Sequence, residues 1–323
     1  MSVLHHFSAA EVETGLDYPR LVEALATAFR GRAEPTPVRQ VYDVGAPEAP
    51  GHLLTMPAWE RGAALGVKLV TVFPGNAAHG LGAVSSVYLL FDGRTGRPTA
   101  LIDGEALTNR RTAAASALAS RHLSRPDSRT LLLVGTGHVA AHLPAAHRAV
   151  RPIERVLVWG RDGDRAASLA GRLDREGFAA SPVRDLTAAL TEADIVSCAT
   201  TSTTPLIAGR DIAPGTHIDL VGAYTPAMRE CDDRTVLRAR VFVDTYAGAL
   251  AEAGDLLQPM AAGLWSAESI CGDLSELASG ARPGRLSADE VTLFKSVGTA
   301  VEDLAAARLL LGDGRPERQR AAS

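Results

Sequence analysis

The spacing of apolar positions changes twice along the chain. Near the start, Leu21, Leu25, Ala28 and Phe29 recur on one helical face, and Gly31 is a plausible stop. Ser8 and Glu11 have the spacing of a capping box, so a helix is predicted to begin there. From Val38 to Phe91 short apolar runs (HLLTM, GVKLVTVF, SSVYLLFD) alternate with Gly and Pro. This predicts antiparallel strands, with Asp92-Gly93 as a turn. Leu101 to Gly104 leads into an Ala-rich stretch, Glu105 to His122, predicted as helix.

Beyond residue 130 the period changes again. Strand-like runs recur at TLLLVG (130–135), RVLVWG (155–160), ADIVSCA (193–199), HIDLVG (217–222) and ARVFVD (239–244), with helical segments between most of them, notably Asp164 to Glu176. Such runs alternating with helices predict a parallel sheet covered on both faces, an α/β fold. Ser287-Ala288-Asp289-Glu290 is expected to open a further helix, and Thr299 to Leu311 to form a long terminal one.

Composition narrows the function classes. A chain of 323 residues suits two domains of ordinary size. A net charge of −4 disfavours nucleic acid as a partner and favours a small molecule. No apolar run is long enough to span a membrane, and MSVLHHFSAAEVETG lacks a secretory pattern. Cys198, Cys231 and Cys271 fit neither a metal spacing nor a disulfide framework, so the expectation is a cytoplasmic protein without a metal.

The densest chemical signal follows the first strand of the second region. Gly135-Thr136-Gly137-His138-Val139-Ala140 is the G-x-G-x-x-A form of the dinucleotide fingerprint. Gly135 permits the tight turn, Gly137 admits a pyrophosphate, and Ala140 keeps helix and strand close. His138 serves there through its backbone. Pro144 falls inside the predicted helix and is expected to bend or shorten it. The second strand ends in Gly160 and Arg161 rather than an acid. An arginine there suits a 2′-phosphate, which favours NADP(H) over NAD(H). The alternative is that Arg161 is a solvated loop residue and Asp162 reaches the ribose. Thr200 and Thr201 follow a strand at its carboxyl end, either as cofactor contacts or as a capped turn. Val221, at the end of the next strand, is a further cofactor-binding candidate.

The segments GVKLVTVFPGN, NRRTAAASALA, LLLVGTGHVAAH, VGAYTPAMREC and TLFKSVGTAVEDLA together resemble the ornithine cyclodeaminase/mu-crystallin family. The resemblance implies a substrate-binding and dimerisation α/β domain, residues 1–118 with 297–323. A Rossmann domain with a doubly wound parallel sheet, residues 119–296, would be inserted in it. It implies a homodimer acting on a small amino or imino acid with a nicotinamide cofactor. Lys68 stands in an otherwise apolar strand, where an ammonium is costly unless paired. The family favours it as a residue that holds the substrate carboxylate or exchanges a proton at nitrogen; a strand-edge lysine reaching solvent is the alternative. Of Arg110 and Arg111, about 100° apart on a helix, the resemblance assigns the site role to Arg111, toward substrate carboxylate and cofactor. Arg110 is then a solvated or interface residue. Thr112 would lie near the pyrophosphate, and Ser296 and Val297 beside nicotinamide and substrate. Arg39 is a candidate second carboxylate fork, or a surface arginine.

One position separates the chemistries within that family. Its cyclodeaminases carry an aspartate in a Gly-x-Asp-x-Pro setting, whereas here Gly222-Ala223-Tyr224-Thr225-Pro226 has a phenol. A carboxylate is a base at neutral pH; a phenol is chiefly a donor. The glutamate expected just before Met56-Pro57 is also missing from Leu53-Leu54-Thr55. The expectation is therefore an NAD(P)H-dependent imino-acid (ketimine) reductase or amino-acid dehydrogenase, with Lys68 and Tyr224 as catalytic candidates. Tyr224 as a mere pocket wall is the alternative for that residue. The rival functions are ornithine cyclodeaminase, with NAD as catalytic cofactor, and a non-catalytic NADPH-binding protein.

Overall fold

A computed structural model describes residues 4–31 and 36–312. The chain begins with β1 (His5–Phe7), α1 (Ala9–Gly15), α2 (Tyr18–Arg30), β2 (Gln40–Asp43), β3 (His52–Glu60), β4 (Ala64–Val72), β5 (Val84–Asp92), β6 (Pro98–Asp103) and α3 (Gly104–Leu123). It continues with β7 (Thr130–Val134), α4 (His138–Arg148), β8 (Arg155–Trp159), α5 (Gly163–Arg175), β9 (Ala179–Pro182), α6 (Leu186–Glu192), β10 (Ile195–Cys198) and β11 (His217–Leu220). Then come α7 (Asp233–Arg238), β12 (Arg240–Val243), α8 (Tyr246–Glu252), α9 (Gly254–Ala261), β13 (Ile270–Asp273), α10 (Leu274–Ser279), β14 (Thr292–Lys295) and α11 (Ala300–Leu311). Two units emerge: Met1–Arg111 with Thr299–Ser323, and Thr112–Gly298.

In the first unit the strands follow the order β1-β6-β5-β4-β3-β2. All pairs are antiparallel except β1 with β6, which the alternating pattern alone did not reveal. Ser8 and Glu11 form the capping box of α1. Leu21, Leu25 and Phe29 bury the inner face of α2, each contributing about 1.5–3 kcal/mol relative to exposure. The helix α11 packs against α2 and lies on β3, β4 and β5. Side chains alternate across the sheet, so Met56, Lys68, Tyr88 and Leu90 are buried. On the other face Trp59, Leu65, Val67, Leu69, Val87 and Phe91 are half-buried or exposed.

The second unit is built on one parallel sheet, order β13-β12-β14-β11-β10-β7-β8-β9. Strand order reverses at β7, with β8 and β9 on one side and β10 and β11 on the other. That is the switch point of a doubly wound sheet, where ligands bind beyond the carboxyl ends of the strands. The central strands β7, β10 and β11 are buried almost throughout, and they are mostly apolar, with Ser197, His217 and Asp219 as buried polar exceptions.

Two local expectations are corrected. Ser287 to Glu290 is not helical: the Ser287 hydroxyl accepts from the Glu290 amide, and the Glu290 carboxylate accepts from the Leu286 and Ser287 amides. Arg285 donates to the carbonyls of Ser287 and Glu290, which a helix would otherwise use internally. Pro144 does not shorten α4, which runs through it to Arg148 with the ring buried in the core.

Candidate functional site

Each unit carries one part of the candidate machinery. In the first, Lys68 lies on β4 opposite Met56 and Tyr88 and is only 3% exposed, so it does not reach solvent from a strand edge. Its Nζ donates to Asp303 Oδ1 at 3.1 Å, sits 2.9 Å from Oδ2, and donates to Thr108 Oγ1 at 3.3 Å. Arg111 Nε donates to the same Oδ1 at 3.0 Å, and its Nη1 pairs with Glu302. Burial lowers the Lys68 pKa to about 8; the Arg111 and Arg39 charges push the same way and Asp303 opposes them. Tyr88, fully buried, has a hydroxyl with no hydrogen-bond partner, and burial with the Asp303 charge raises its pKa well above the ordinary phenol value. Arg39, half-buried, precedes β2 and is near enough for its charge to act on Lys68.

Arg110 is not simply solvated. Its guanidinium stacks 4.1 Å over the Tyr18 ring, donates to the Leu16 carbonyl and pairs with Glu13, which ties the start of α3 to α1 and α2.

In the second unit the glycine loop has the shape the fingerprint requires. Gly135 has φ +122°, a region closed to most side chains, and a Cβ there would stand 2.5 Å from the Ala199 carbonyl oxygen. Gly137 is the N-cap of α4, with no side-chain cap, and a Cβ there would meet nothing within 4 Å. The first amides of α4 are thus uncapped by a side chain, and open space lies at Gly137, which fits an approaching pyrophosphate. Ala140 is buried against the sheet, Val139 is half-buried and His138 exposed. At the end of β8, Arg161 is exposed, while Asp162 is committed to capping α5 through the amides of Asp164 and Arg165.

Thr112 is buried at the start of this unit. Thr200 gives both its amide and its hydroxyl to Glu230. It also accepts from the Ser202 amide, so a capped turn is present as well. Val221 is half-buried after β11. Tyr224 follows on an exposed loop, itself 38% exposed. Ser296 is buried and donates to Asp244 Oδ2 at 3.0 Å, and the same oxygen accepts from the amides of Val297 and Gly298. The Ser296 hydroxyl proton is therefore already used; what remains is acceptor capacity.

Sequence reasoning missed Glu302 and Asp303 as partners of Arg111 and Lys68. Two adjacent acids on the apolar α11 were the available signal, because buried acids require cations. It also missed Glu230, Asp244, Asp255 and Lys295, all fully buried. A Ser197–His147–Asp219 array exists, with His147 Nε2 2.9 Å from Ser197 Oγ and that hydroxyl donating to Asp219 at 2.7 Å. All three are fully buried, which removes Ser197 as a nucleophile and leaves a cross-sheet brace. Among the described residues no group of three or more His, Cys, Asp or Glu is arranged to hold a metal, and no helix is long and apolar enough to cross a membrane.

The model of the ornithine cyclodeaminase/mu-crystallin family matches residues 3–313. The chain belongs to that family. Among its members, a Δ1-pyrroline-2-carboxylate reductase of Colwellia psychrerythraea is 41% identical over 305 residues, covering 93% of this chain and 96% of that protein. One of Paracoccus denitrificans is 45% identical over 272 residues, covering 83% of this chain and 85% of that protein. The structure of the Thermococcus litoralis Δ1-pyrroline-2-carboxylate reductase in complex with NADH and L-proline superposes with a TM-score of 0.90 at 34% identity, covering 96% of this chain and 97% of that one.

Proposed function

We propose that this chain is an NAD(P)H-dependent reductase of small carboxylated imines, with Δ1-pyrroline-2-carboxylate as the first substrate to test. The observation that carries the reading is the buried charge cluster of the first unit. Lys68 and Arg111 pair with Asp303 and Glu302, and the charge of Arg39 acts on Lys68. Cationic groups gathered at one largely buried spot suit the carboxylate of a small substrate. The relatives that are pyrroline-2-carboxylate reductases act on such a compound.

The dinucleotide would be held by the amides from Gly135 to Val139, with Thr112, Thr200, Val221 and Ser296 as further contacts. When bound, the reduced nicotinamide supplies the hydride. Lys68, with a pKa of about 8, can both orient the carboxylate and hold a proton for the imine nitrogen near neutral pH. Tyr224 is the second proton donor, on a loop that offers a phenol in place of a base. Exposed Arg161, beside an Asp162 already used as a cap, supports a preference for the 2′-phosphate of NADPH. The half-exposed apolar sheet face of the first unit, with Leu65 37% and Val87 41% exposed, supports a homodimer.

The test is a screen of cyclic imino acids with NADH and NADPH, following the absorbance of the reduced nicotinamide. Consumption of the reduced cofactor with formation of L-proline is expected. Ammonia and proline arising from L-ornithine with only catalytic NAD, and no imine reduction, would overturn the proposal in favour of cyclodeamination.

A further inference from the structure

The ladder between β10 and β11 ends with the Val221 amide donating to the Cys198 carbonyl. Just beyond it the two chains run so close that a Cβ on Gly222 would stand 2.1 Å from both the amide nitrogen and the carbonyl oxygen of Thr200. The amides that follow have one destination. Glu230 Oε1 accepts from the Thr200 amide at 2.7 Å and its hydroxyl at 2.9 Å. Oε2 accepts from the amides of Gly222 at 2.9 Å and Ala223 at 3.1 Å. One fully buried carboxylate thus joins two strand ends where their own ladder has stopped.

That carboxylate is itself held from behind. Lys295 Nζ, on β14, lies 3.9 Å from Glu230 Oε2 and 2.9 Å from Asp255 Oδ2. Asp255 Oδ1 accepts from the amides of Glu230 and Cys231. Burial pulls the Lys295 pKa down, but the two carboxylates outweigh it and hold the group above its ordinary value, a secured cation. The loop after β11 is steadied from below as well. Gly254 allows the carbonyls of Thr225, Pro226 and Met228 to lie against it, and Gln258 donates to the Pro226 carbonyl.

We propose that Glu230 is a positioning residue. It sets the backbone at Thr200 and at Gly222–Ala223 in the geometry that receives the dinucleotide, and through the second segment it aims Tyr224. The proposal rests on the reductase reading for Tyr224 but on the glycine fingerprint alone for the dinucleotide. Only a carboxylate can accept on both oxygens from donors on two chains. An amide in its place turns an NH₂ toward one of the strand ends, where donors already stand.

The experiment uses Glu230→Gln in the full chain. Direct fluorescence titration with NADH is expected to show affinity about tenfold or more weaker, since bonds to a charged acceptor are lost at one strand end. The kcat for imine reduction falls, while KM for the imine, bound by the first unit's cations, stays within about twofold. A variant that binds NADH as tightly as the wild type, with only its melting temperature lowered, would show that Glu230 merely packs the core.

A second measurement follows NADH affinity of the wild type with pH. Burial, with the Asp255 charge, raises the Glu230 pKa to about 7 against Lys295 and the Thr200 donors; the buried thiols of Cys198 and Cys231 are its other titratable neighbours. Protonation converts an acceptor into a donor, so wild-type NADH affinity weakens as pH falls through about 7, and this dependence is lost in Glu230→Gln. A flat wild-type profile overturns the proposal. NADH titration needs no imine turnover, so a failure here is distinguishable from a failure of the reductase reading.

Discussion

Replacing Asp303 by asparagine removes one charge and almost no volume from the cluster of the first unit. Asp303 is fully buried and accepts from Lys68 at 3.1 Å and Arg111 at 3.0 Å through one oxygen, with the other 2.9 Å from Lys68. Without it, two buried cations face each other with the Arg111–Glu302 pair still in place. Breaking a buried pair in this way costs about 3–5 kcal/mol, which denaturant unfolding would register as a lower midpoint. The second effect is on titration. The Lys68 pKa of about 8 is set by burial and Arg111 against Asp303. Loss of the opposing charge lowers it by about a unit or more. Imine reduction needs the ammonium form, so kcat/KM falls as pH rises through about 8 in the wild type and at lower pH in the variant. Stability has its own sign. The folded pKa lies below the unfolded value of 10.5, so below about pH 8 the fold carries the full cost of the buried ammonium, about 3 kcal/mol. That cost is relieved as pH rises from about 8 to 10.5, where the unfolded chain keeps a proton that the folded one has released. An alkaline limb at the same pH in Asp303→Asn and wild type would refute this account of Lys68.

Three further substitutions probe the remaining parts. Gly137→Val fills space that meets no atom within 4 Å, so NADH affinity should drop at least about tenfold in a titration while the melting temperature holds; unchanged affinity would remove the glycine loop from the cofactor site. Arg161→Ala should weaken NADPH binding about tenfold and leave NADH nearly unaffected, and equal losses would dismiss the 2′-phosphate assignment. Tyr224→Phe should lower kcat for imine reduction about 10²-fold with the KM preserved, and a native rate would leave the ring as a wall of the pocket.

The glycine loop and the parallel strands were legible because their signals are local. A strand, two glycines and an alanine occupy consecutive positions, and each glycine does its work within a few residues of itself. The charge cluster was half legible. Lys68 stood out as a cation in an apolar strand and Arg111 through the family resemblance, but their counter-charges lie 191 to 235 residues further along the chain, and the sequence holds no rule for that pairing. Asp303 and Glu302 instead read as the polar dots of an Ala/Leu helix. The contacts of Arg110 were hidden for the same reason, since its partners on α1 and α2 are set by packing. The helix expected at Ser287 shows the reverse error. A local capping pattern was present, but it closed a turn, because Arg285 claims the carbonyls that a helix would need.

The position of α11 also bears on biosynthesis. Lys68 and Arg111 leave the ribosome well before the acids that neutralise them, which follow Arg111 by 191 and 192 residues. The second unit, Thr112–Gly298, lies wholly between them in the chain, and domains generally fold as units during synthesis. Until α11 docks, Lys68 on β4 and Arg111 on α3 lack the carboxylates of Glu302 and Asp303. A product ending before α11 would therefore keep the glycine loop and lack the carboxylates that pair with Lys68 and Arg111.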